Sequence, residues 1–125
     1  METLEEIFAL AEEDLEAAKT KALILNTVSL KKLNEHLEAS SKNKTMLAET
    51  LLIKHYADNH EVIKKLINGA DRNVSNEARI ILCEKHWQKT KLNLLVQLQN
   101  DVSEKVRKAA CLAARKKAKQ DDKRL

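Results

Sequence analysis

The sequence predicts an all-α protein, a stack of antiparallel helical hairpins with about seven helices, and three observations carry that expectation. The 125 residues include no proline, one glycine and 2% aromatic side chains, so almost every usual interrupter of a helix is missing. Apolar residues recur at steps of three and four through most of the chain, the spacing of one buried helical face. A segment also repeats: Val74, Ser75, Ala78, Arg79, Ile81, Leu82 and Cys83 are answered, each 28 residues later, by Val102, Ser103, Val106, Arg107, Ala109, Ala110 and Cys111.

The first helix is expected over 3–25. Thr3-Leu-Glu-Glu6 reads as a capping box, the acids near it suit the positive end of a helix dipole, and Leu4, Ile7, Ala11, Leu15, Ala18, Ala22 and Leu25 form one stripe. Asn26 and Thr27 offer a new cap, so a second helix is expected over 28–39, carrying Val28, Leu30, Leu33 and Leu37. The polar break at 40–43 precedes a third, whose buried face holds Ala48, Leu51, Leu52, His55 and Tyr56. Asp58-Asn-His-Glu61 is a second capping signal and opens a short fourth helix. Gly69 should end that helix as a left-handed C-cap.

Asn73 or Ser75 is the expected cap of the fifth helix, which has two apolar faces, Ala78, Ile81 and Leu82 on one and Ile80, Cys83 and Trp87 on the other. The sixth, Leu92 to Leu98, is apolar nearly all round, as an inner element would be. Asn100 and Asp101 end it and cap the seventh, whose small alanines allow close approach of a neighbour. Short loops force antiparallel neighbours, which groups the helices as one with two, three with four and five with six, plus an unpaired seventh. Residues 1–118 form the domain and 119–125 a charged, frayed tail.

The run Asp101 to Ala114, with Val106-Arg107 and the small residues Ala109, Ala110, Ala113 and Ala114, resembles the first helix of a HEAT repeat. A second match at a spacing of 30, Ala48, Leu52 and Ile53 with Ala78, Leu82 and Cys83, and Asp71 with Asp101, extends the resemblance over 42–118. It implies a short right-handed solenoid and structural roles for Arg79, Arg107, Asp71 and Asp101, each arginine tied to an aspartate before a helix. It also implies that the second helices of the hairpins line the binding face, which singles out Lys31, Lys32, Lys64, Lys65 and Lys91 as partner-binding. The spacing of 28 to 30 is shorter than the roughly 40 to 47 residues usual for HEAT or armadillo units, and the first hairpin does not carry the signature.

Charge supplies the remaining clues. An apolar fraction of 43% is enough for a core, so the 34% of charged residues reads as solvated helix faces. Residues 1–60 hold 7 lysines against 11 acids, net −4, and residues 61–125 hold 16 lysines and arginines against 8 acids, net +8. Lys105, Lys108, Arg115, Lys116, Lys117 and Lys119 on the last helix could follow a nucleic-acid backbone, although no aromatic residues interleave with them for base stacking.

A single glycine cannot build a phosphate-cradling loop, and the acids lie in runs that suit a solvated face, so no catalytic residue and no cofactor is expected. Cys83 and His86 stand one turn apart, with His55 or Cys111 available, but that is one ligand pair and zinc needs about four converging ligands. Both cysteines are read as buried hydrophobes. No stretch has the roughly 18 apolar residues of a membrane span, and the expected location is cytoplasmic. The function expected is a non-enzymatic adaptor or scaffold binding a protein. A nucleic-acid module using the basic half is the first alternative, and a self-associating scaffold, its acidic start meeting its basic end, the second. The expected state is a monomer or weak homo-oligomer.

Overall fold

The computed structural model describes residues 3–39 and 41–123, and among these it contains eight α-helices, one turn of 3-10 helix and no strand. The helices are α1 (Leu4–Glu13), α2 (Leu15–Ala22), α3 (Leu30–Leu37), α4 (Lys42–His55), α5 (His60–Leu66), α6 (Arg72–Lys85), α7 (Leu92–Leu98) and α8 (Glu104–Lys123), with the 3-10 turn at Trp87–Lys89. α8 continues well past Ala118, where the domain was expected to close, and the last two residues of the expected tail lie outside those described.

The single long helix expected over 3–25 is two helices. Its apolar stripe runs on unbroken, but Asp14 leaves helical geometry (φ −151°, ψ 91°) and its carboxylate caps α2 by accepting the Ala17 amide at 3.0 Å. Asp competes well for such a local bond, and a neighbour completes the break: Asn43 on α4 donates to the Ala11 carbonyl at 2.9 Å, taking an acceptor that α1 leaves open. Glu12 accepts from Ser41 Oγ at 2.9 Å and pairs with Lys44 at 3.6 Å, so the end of α1 is fastened to the start of α4. Both α1 and α2 therefore pack on α4.

Four expected caps are displaced to neighbouring residues. Ser29, not Asn26 or Thr27, caps α3; Asn59, not Asp58, caps α5; Asp71, not Asn73 or Ser75, caps α6; and Ser103, not Asn100 or Asp101, caps α8, its hydroxyl accepting the Val106 amide at 3.4 Å. The thermodynamic logic is unchanged, since each supplies an oxygen to an orphan amide of the first turn. Thr3 caps α1 as expected, accepting from the Glu6 amide at 3.2 Å.

The starts of the later helices recur. Short helices begin at Leu30, His60 and Leu92, long ones at Lys42, Arg72 and Glu104, so the offsets are 30 and then 32 residues. The buried positions follow the same count: Leu33, Ile63 and Leu95 on the short helices and Ala48, Ala78 and Ala110 on the long ones are all 0% exposed. The offset of 28 pairs Val74, which is 6% exposed, with Val102, which is 83% exposed and lies ahead of α8. It is one helical turn short, and because a four-residue slip nearly preserves the helix face, the sequence match looked sound.

Pairing is shifted by one helix from the grouping expected. Each short helix packs on the long helix after it, α3 on α4, α5 on α6 and α7 on α8, while α4, α6 and α8 pack in succession. The element outside this pattern is the N-terminal pair α1 and α2, not the C-terminal helix. α7 is not an inner element on all sides, since Val96 is 46% exposed.

Gly69 is not a left-handed cap, because no described residue has a positive φ. Its role is steric. A Cβ there would overlap Glu49 Oε2 and lie 2.8 Å from Glu49 Cδ. That carboxylate cannot swing away freely, for it is 2% exposed and accepts the Ala70 and Asp71 amides, each at 2.9 Å. Gly69→Ala should therefore destabilise by about 1–3 kcal/mol in chemical denaturation. In a Glu49→Ala background the same change should cost much less; an undiminished cost would place the conflict elsewhere.

Candidate functional site

Two sets of basic residues were expected to act, and the structure sorts them differently. Lys31 and Lys32 stand exposed on α3, Lys64 and Lys65 on α5, and Lys91 just ahead of α7. Lys64 and Lys91 line a common pocket between α5 and α7, whereas Lys31 lies on a separate shallow surface with Glu35 and Glu38. The five do not make one continuous face.

The α8 set is more coherent. Lys105, Lys108 and Lys116 line an open groove between α6 and α8, of about 590 Å³, whose apolar wall is Ile80, Cys83, Ala109, Leu112 and Ala113. Helical spacing explains the arrangement: 105, 108, 112 and 116 differ by three or four, so a leucine and three lysines rise along one face. Leu112 is 59% exposed, a large apolar side chain held in water among cations. Arg115 and Lys119 are exposed on the same helix and form no ion pair among the described residues, while Lys108 pairs with Glu104 at 3.2 Å. Lys117 is diverted from the set, donating to the Gln88 carbonyl at 2.6 Å. Among the described residues Glu84 is the one acid lining the groove.

The four residues given structural roles do meet helix ends. Arg79 donates from Nη1 to Asp101 Oδ1 and from Nε to the Ile67 carbonyl, both at 2.9 Å. Asp101 in turn accepts the Ser103 amide at 3.0 Å. Arg107 donates to the carbonyls of Asp101 and Val102 at 2.8 and 3.0 Å and not to a carboxylate. Asp71 pairs with Lys19 at 3.0 Å, so the aspartate expected to meet an arginine is held by a lysine of α2.

Glu49 carries the feature that sequence reading passed over. Burial pushes its carboxyl up from the ordinary range, and the two amide bonds from Asp71 and Ala70 pull against that. Asp71 is held below its ordinary value despite burial, which raises it, because Lys19 and the amides of Val74 and Asn73 favour the charged form. A lone acid inside the apolar run Leu47-Ala48-Glu49 and Leu51-Leu52-Ile53 was the available signal.

His86 is buried and its Nε2 lies 2.9 Å from the Ala57 carbonyl, which ties the 3-10 turn to the α4–α5 connection. Among the described residues no group of three or more His, Cys, Asp or Glu is placed to hold a metal ion. No described helix is long and apolar enough to cross a membrane. Compared with family models, curated proteins and solved structures, the chain matches none.

The two cysteines differ. Cys83 is 2% exposed, and burial, with Glu84 and Asp101 adding to it, pushes its thiol up to about 11. Cys111 is half-buried. Since the thiolate is the reacting form, iodoacetamide at neutral pH should label Cys111 first and Cys83 only after denaturant is added. Mass spectrometry of the digest reads the order, and faster labelling of Cys83 would mean that the α6–α8 contact opens readily.

Proposed function

We propose that this chain is a non-enzymatic helical-repeat binding module, a short right-handed HEAT-like solenoid that serves as adaptor or scaffold for a protein partner. Support for the repeat reading comes from the recurring helix starts and the equivalent buried positions Ala48, Ala78 and Ala110. The observation that carries the binding reading is the α6–α8 groove, in which an apolar wall with exposed Leu112 is flanked by Lys105, Lys108 and Lys116. A partner that fits is an acidic amphipathic helix, its leucine-like face against the groove and its carboxylates beside the lysines. The cytoplasm suits a protein of this kind.

The same cations favour a second reading, a nucleic-acid module in which α8 follows phosphates, because Arg115 and Lys119 lengthen the basic line beyond the groove. Salt separates the two. Binding of an acidic amphipathic peptide, followed by fluorescence anisotropy at about 0.15 M salt, should weaken roughly tenfold or more on Leu112→Asp. Duplex DNA should bind weakly and be lost near that salt concentration. Sub-micromolar duplex binding there, abolished by removing Lys116, Lys117 and Lys119 together, would establish the nucleic-acid reading instead.

A further inference from the structure

We infer that the pocket between α5 and α7 is a binding site for a phosphate group, separate from the α6–α8 groove. The pocket has a volume of about 300 Å³ and is lined by His60, Lys64, Lys89, Thr90, Lys91 and Leu94 among others, with no acid among the described residues of its lining. Three elements converge to make it: α5 brings His60 and Lys64, the 3-10 turn brings Lys89, and the approach to α7 brings Lys91. Three exposed lysines lining one concavity raise the positive potential there, which a multiply charged anion relieves.

The local partners leave that charge available. Lys89 and Lys91 form no ion pair among the described residues, and Lys64 has only Glu61, at 3.9 Å on an exposed surface. Thr90 is buried, its hydroxyl donating to the His86 carbonyl at 2.7 Å, which fixes the stretch between the two lysines. His60 Nδ1 is buried without a hydrogen-bond partner, and its ring lies 5.4 Å from that of His86. A carboxylate would neutralise one of the three lysines; a phosphate monoester dianion neutralises two and offers three oxygens to their rotatable donors. Phosphate is therefore the better match.

His60 provides a reporter within the site. Its pKa lies below the ordinary value through burial first, and then through the neighbouring charges of His86, Lys64 and Lys89, with Glu61 alone opposing them. A bound anion must push it back up.

The test is an amide NMR titration with inorganic phosphate, then with a phosphoserine peptide, at a constant ionic strength of about 0.1 M. Saturable shifts confined to residues 60–64 and 89–94, and a rise in the His60 pKa at saturation, are expected. Lys89→Gln with Lys91→Gln should weaken binding about tenfold or more, and Lys105→Gln with Lys116→Gln should leave it unchanged. Tighter binding of the peptide would identify the phosphate as protein-borne, and equal or weaker binding would identify a free phosphate compound. Shifts spread over every lysine-bearing face, an unmoved His60, or insensitivity to the Lys89 and Lys91 changes would overturn the inference.

Discussion

The carboxylate of Glu49 sets the position of everything that follows it. From the middle of α4 it reaches the turn that opens α6 and accepts the two amides there, Ala70 and Asp71, while Gly69 makes room for it. Thirty residues later stands Arg79, at the corresponding place in α6, and it reaches forward to Asp101 ahead of α8. Both links span the same sequence distance, 22 residues. One is a carboxylate holding amides and the other a guanidinium holding a carboxylate and a carbonyl, so the chemistry is inverted while the geometry is kept. Hydrophobic burial alone permits adjacent helices to slide by a turn, because apolar faces tolerate such slips; directed polar links across the junction do not.

Burying these groups has a cost that their partners offset. Glu49 and Asp71 are both almost inaccessible and lie side by side, so ionising both requires compensation. Lys19 supplies charge to Asp71, and backbone amides supply the rest. Their titrations act in opposite senses. Asp71, held low, contributes stability above its unfolded-state pKa that is lost as pH falls through the folded value. Glu49, held high, contributes stability below its unfolded-state pKa that is lost as pH rises through the folded one. Because Lys19 sits on α2, the same cluster also fastens the N-terminal helices to the second long helix.

The all-α class was legible from composition, since a chain without proline and with one glycine has little else to form. The helix bounds at Leu92 and Leu98 and the cap at Thr3 were legible too, as local chemistry decided them. The break at Asp14 was not. Its cause is partly the remote Asn43, and no periodicity within 3–25 records that. The offset between the recurring helices came out one turn short because Val102 imitates Val74 in sequence while α8 starts only at Glu104. Gly69 serves by making room and not by a left-handed conformation, and the group it accommodates comes from 20 residues earlier, beyond the reach of local turn chemistry. Of the basic surfaces, that formed by the lysines of α8 could be aligned from helical spacing alone. The meeting of Lys64 with Lys89 and Lys91 depends on how α5 and α7 are brought together, which only the fold supplies.

Charge and architecture reinforce one another in this molecule. The acidic residues concentrate in α1 and α2 and the basic ones from α5 onward, so the two ends carry fields of opposite sign. Whether the long helices keep one register, and hence whether the groove between α6 and α8 has a fixed shape, rests on the Arg79–Asp101 link, whose side chains are 21% and 8% exposed. A double-mutant cycle on Arg79→Met and Asp101→Asn measures it directly by denaturant unfolding. A coupling energy of about 1–3 kcal/mol is the expected result. Additive effects, with coupling below about 0.3 kcal/mol, would show that apolar packing alone sets the register and would contradict the account.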